Sequence, residues 1–100
     1  MKTTFPQDIY QKLQQDFGAD YKKALQLLEP YAKREPEVSM RIHRGIVYVA
    51  NGNFEKLEQA IELALTDWRD LIMWAEYEGT SLDDAVRVRD FTRTFAENGL

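Results

Sequence analysis

Cysteine is absent from this chain of 100 residues, histidine occurs once and serine twice. Without thiols there can be no disulfide framework, no thiolate nucleophile and no Cys-based zinc or iron–sulfur site. The same absence fits a reducing cytosol. With 5 glycines and 3 prolines, turns are few, which argues against a β-sandwich or barrel. Long apolar runs are also missing. The longest cover residues 46–50 and 71–75, whereas a bilayer-spanning helix needs about 20 residues. The N-terminus turns polar at once and has no apolar h-region, so no signal peptide is expected and the reading points to the cytoplasm with no membrane partner.

The composition is that of one ordinary globular domain, residues 1–100, with 44% hydrophobic and 30% charged residues. Net charge is −4 but unevenly spread: residues 1–50 carry 8 basic against 6 acidic side chains (+2), and residues 51–100 carry 5 against 11 (−6). Overall acidity argues against nucleic-acid binding, where phosphate neutralisation supplies much of the affinity. The asymmetry suits contact between unlike halves, within one chain or between two.

Apolar periodicity predicts an all-α domain of five to six short antiparallel helices packed as helical hairpins. Pro6 suits a helix start, Phe5, Ile9, Leu13 and Phe17 recur every four residues, and Gly18 ends that segment. A second helix from about Asp20 carries Tyr21, Ala24, Leu25, Leu28, Tyr31 and Ala32. Pro30 either kinks it or stops it at Glu29. Pro36 opens a third, which Asn51-Gly52 terminates, and its mid-helix Gly45 points to a close backbone approach. Asn53 caps a fourth helix with Phe54, Leu57, Ile61, Ala64 and Leu65 inward. Asp67 or Thr66 caps a fifth, carrying Trp68, Leu71, Ile72 and Ala75 and ending at Gly79. Ser81 with Asp84 marks a sixth start. After Val86 the signal divides. Val86 and Val88 alternate with arginines, whereas Phe91 and Phe95 are spaced for a helix, so the tail is either helical or extended and pinned by its two Phe rings.

Gly45, Tyr48, Gly52, Phe54, Ala64 and Leu65, with Ile61 in a large-residue slot, have the relative spacing of a tetratricopeptide repeat, so residues 38–70 resemble one hairpin of that family. The resemblance implies stacked helix pairs with a concave surface for peptides or partner proteins. Four positions depart from the pattern: Arg41 and Arg44 where Trp and Leu belong, Leu57 for a small Ala, and Arg69 for Pro. Tyr21 and Ala24 echo Phe54 and Leu57 a period of 33 earlier, but the next echo, Leu82 with Ala85, comes after only 28.

No motif for catalysis or cofactor binding emerges. His43 lacks a paired His or a Glu-x-x-His partner and shares a helical face with Met40, Val47 and Ala50, which places it half-buried at the edge of the core. Glu55, Glu58 and Glu62 fall opposite the apolar stripe, and Asp67, Asp70, Asp83 and Asp84 sit where helix N-termini want acids. The dispersed glycines make no phosphate loop. What stands out is Trp68 to Tyr77. Trp68, Leu71, Ile72 and Ala75 suffice for a core stripe, so Trp74 and Tyr77 form a second apolar side. That pattern means a central helix or a partner surface. The sequence therefore favours a non-enzymatic protein-interaction module, self-associating or binding another protein, with Trp74, Tyr77, Tyr48, Arg41 and Arg44 as anchors and no cofactor or metal. Two alternatives stay open: a small-molecule or enzymatic site around His43, Arg41 and Arg44, and a nucleic-acid-associated regulator using Lys33, Arg34, Arg41, Arg44 or Arg87, Arg89 and Arg93.

Overall fold

A computed structural model describes residues 5–34, 40–78 and 86–100 of the chain. Helix α1 (Gln7–Phe17) starts directly after Pro6, and its stripe of Phe5, Ile9, Leu13 and Phe17 is wholly buried. Gly18 leaves the helix at φ 58° and donates its N–H to the Gln14 carbonyl. A single 3₁₀ turn (Gly18–Asp20) leads into α2 (Tyr21–Arg34). Helix α2 continues through Pro30 instead of stopping at Glu29. The turn beyond the proline carries Tyr31 and Ala32, and their burial offsets the missing hydrogen bond.

Helix α3 (Met40–Ala50) is central: Ile42 to Val47, Val49 and Ala50 are all buried. Its start at Pro36 and the cap at Ser81 lie outside the described residues. Asn51 (φ 47°) and Gly52 (φ 79°) reverse the chain. Gly52 is required twice over, because a Cβ there would stand 2.5 Å from the Asp16 carbonyl oxygen. Asn53 then caps α4 (Phe54–Glu76) by accepting from the Lys56 N–H at 2.9 Å.

Helix count is where the sequence expectation fails. Four α-helices occur among the described residues, not five or six, because the expected fourth and fifth form the single element α4. Asp67 inside it is non-helical (φ −155°, ψ 88°), and its Oδ1 accepts from the N–H groups of Arg69 and Asp70 at 3.2 and 3.4 Å, as an N-cap does. Asp67 thus has the expected capping role without a separating loop. The break also changes which side chains face inward. Leu71, Ile72 and Ala75 are buried as expected, but Trp68 is 47% exposed and Leu65 38%.

The C-terminal part of α4 crosses α3 closely at Gly45, where an added Cβ would lie 3.3 Å from the Ala75 Cβ and 3.8 Å from Ile72 Cδ1. This is the close approach that a mid-helix glycine implies. Helix α4 ends at Glu76 rather than Gly79, because Tyr77 turns extended (φ −113°, ψ 151°). Strand β1 (Tyr77–Glu78) pairs antiparallel with β2 (Val86–Arg87), in register Tyr77–Arg87 and Glu78–Val86. The tail after Val86 therefore begins extended and closes with a 3₁₀ turn (Ala96–Asn98). Phe91 and Phe95 pin it to the core, with Phe91 against Tyr48 (5.4 Å between centroids) and against Phe95 (5.5 Å). No described helix is long and apolar enough to cross a membrane.

Candidate interaction surface

Of the five expected anchors, Arg41 and Arg44 bind carboxylates of the fold, Tyr48 and Trp74 line a common recess, and Tyr77 stands apart on β1. Arg41 and Arg44, a helical turn apart on α3, bind separate carboxylates. Arg41 makes a fork to Glu76, with Nε to Oε2 at 2.8 Å and Nη2 to Oε1 at 2.7 Å. Glu76 is fully buried and also accepts from Arg87 Nε (3.0 Å) and the Phe91 N–H (3.1 Å), while its main-chain carbonyl accepts from the N–H groups of Val88 and Arg89. Burial would raise the Glu76 pKa, but the Arg41 and Phe91 hydrogen bonds and the Arg41 and Arg87 charges outweigh it and hold it below the usual glutamate range.

Arg44 grips Asp8 of α1 in the same way (2.8 and 3.2 Å) and donates to the Phe91 carbonyl at 3.1 Å; Asp8 in turn accepts from the Phe95 N–H. Asp8 is likewise lowered: the burial penalty is overcome by the hydrogen bonds from Arg44 and Phe95 and by the Arg44 charge. These two clusters bind the tail main chain to α1, α3 and α4. Their arginines are engaged inside the fold. Sequence reading passed over Glu76, although a signal was there: position 76 lies four residues after Ile72, so a carboxylate falls on the apolar stripe and has to be paired.

His43 is not half-buried at the edge of the core. It is 1% exposed, with the Phe5 ring at 5.5 Å and the Tyr31 ring at 5.4 Å. The chain ahead of α1 and the last turn of α2 cover it. Among the described residues, Arg41 binds Glu76, Arg44 binds Asp8, and His43 packs beside Phe5 and Tyr31.

Tyr48 and Trp74 do converge. They line a recess of about 250 Å³ with Val49, Asn51 and Lys56. Trp74 is 50% exposed, so α4 does present an apolar group away from the core. Arg89 lies over the Tyr48 ring, its guanidinium carbon 4.4 Å from the centroid, and donates to the Ala75 carbonyl at 2.7 Å. That fixes one side of Tyr48. Tyr77 is half-buried on β1, and so belongs to the strand rather than to the helical face of Trp74. The chain matches no family model, no curated protein and no solved structure.

Arg87, Arg89 and Arg93 gather with Val88, Asp90, Glu97 and Asn98 around a second recess. Arg87 is shared between Glu76 and Asp90, and Arg89 pairs with Glu78 at 3.1 Å. Carboxylates therefore neutralise most of the cationic character of that group. The described residues contain no group of three or more His, Cys, Asp or Glu placed to hold a metal ion.

Proposed function

We infer that this chain is a protein-interaction module whose contact surface is the Tyr48–Trp74 recess. The carrying observation is that Trp74 stands half-exposed beside Tyr48, while the neighbouring arginines Arg41 and Arg44 are committed to internal carboxylates. Tryptophan and tyrosine are the side chains whose burial contributes most at interfaces, and they lose little rotamer freedom on binding. Arg89 holds Tyr48 in place, so the aromatic wall is pre-organised. Lys56 and Asn51 add polar groups beside the two rings, which give direction to the contact. Affinity capture with the intact protein and with a folded Tyr48→Ala, Trp74→Ala variant tests this. Proteins held by the first and lost by the second are expected. Identical captured sets from the two would remove the reading.

A further inference from the structure

Besides Trp74 in the recess, the large exposed apolar side chains among the described residues are Val86, Val88 and Leu100 in the tail and Leu65 and Trp68 on either side of the break at Asp67. Six residues separate Trp68 from Trp74, which at about 100° per residue sets them about 120° apart around the helix. They face different directions, so two neighbours could engage both at once. Their surroundings differ in charge. The recess contains one charged lining residue, Lys56, and no carboxylate lines it. Around Leu65 and Trp68 stand exposed Glu62, Asp67 and Asp70 against a single cation, Arg69, which lies over the Trp68 ring at 5.4 Å.

We propose that the occupant of the Tyr48–Trp74 recess is the Leu65–Trp68 ridge of a second copy of this chain. The proposal rests on the reading of that recess as a protein-binding surface. Each half of the contact presents an exposed tryptophan, and Lys56 on one side meets Glu62, Asp67 and Asp70 on the other, which sets register and disfavours ridge-to-ridge pairing. Because the two patches are different, copies join either reciprocally, each ridge in the other's recess about a two-fold axis, or head-to-tail in a longer assembly. The contact is small, which makes it a weak and reversible one.

Sedimentation velocity on the full chain tests this between about 10 μM and about 1 mM, the range where weak contacts dissociate. The wild type should grow in mass with concentration, and growth should diminish at high salt, where exposed charges are screened. Trp68→Ala and Trp74→Ala, each confirmed to be folded by circular dichroism, should each stay monomeric, with association weakened about tenfold or more. Mixed in equal amounts they should form a 1:1 dimer and stop there, since one intact recess then meets one intact ridge. A wild type that stays monomeric throughout, a single variant that associates like wild type, or a mixture that stays monomeric overturns the proposal. If the wild type is monomeric but capture of another protein still depends on Tyr48 and Trp74, the recess binds a different partner. In that case only the second-copy assignment fails.

Discussion

Glu76→Gln removes one charge from a fully buried carboxylate and leaves its shape intact. The carboxylate accepts three guanidinium hydrogen bonds and the Phe91 N–H. A glutamine keeps one oxygen able to accept and turns its NH₂ towards groups that can only donate. Two charge-assisted hydrogen bonds are lost, worth about 1.5–3 kcal/mol each. Arg41 and Arg87 keep 29% and 40% of their side-chain surface in water and can be rehydrated, which roughly halves that loss. A destabilisation of about 2–3 kcal/mol is expected, lowering the melting temperature by about 10–20 °C for a domain of this size. Urea unfolding at neutral pH reads the free energy, and amide exchange reads the place. The Phe91 and Phe95 amides should lose protection before those of α3, because the tail is what Glu76 fastens. Glu78→Gln, an exposed partner of Arg89, is the control and should stay within about 0.5 kcal/mol. A similarly small change in Glu76→Gln, or unaltered Phe91 protection, would refute the assignment of Glu76 as the tail's fastening.

Three further outcomes are expected. Phe91→Ala should cost about 3–5 kcal/mol, since the ring is fully buried and the cavity it leaves is flanked by Tyr48 and Phe95; thermal unfolding checks this. Gly52→Ala should destabilise by more than about 1 kcal/mol in urea titration, combining a positive φ with the clash against the Asp16 carbonyl. Stability should hold steady down to about pH 5 and then fall. Glu76 and Asp8 have folded pKa values below their ordinary 4.5 and 3.8, so the stability they add is complete above those values and is lost as pH drops through the lowered ones. A flat profile down to pH 3 would contradict the paired state of both carboxylates.

The local punctuation of the chain was legible because it depends on residues acting on their own neighbours. Gly18, Asn51-Gly52 and the Asn53 cap needed no tertiary context. Gly45 was legible through its cost, since a glycine inside a helix signals a neighbour that comes close. Periodicity failed at Asp67. A regular helix after the Asp67 cap puts Trp68 on the stripe of Leu71, Ile72 and Ala75, and those three are buried while Trp68 is exposed. The tail was only half legible. Its two Phe anchors showed in the sequence, whereas the Glu76 and Asp8 clusters join residues 15 and 87 positions apart, and no local pattern links them. The aromatic surface lay in between. Trp74 stood out as surplus to the core, but its neighbours Lys56, Asn51 and Arg89 come from segments that only the fold brings together.

Both tryptophans of the chain lie at the surface, one on the ridge and one in the recess, so they report directly on whether those places are covered. Acrylamide quenching of tryptophan fluorescence, followed from about 10 μM to about 1 mM protein, makes the comparison across the range of weak association. Quenching should be strong at the lowest concentration and fall as copies join, with the emission moving to shorter wavelength. Quenching already weak at the lowest concentration would mean that the tryptophans are core residues. Strong quenching that never changes would mean that no second copy covers them.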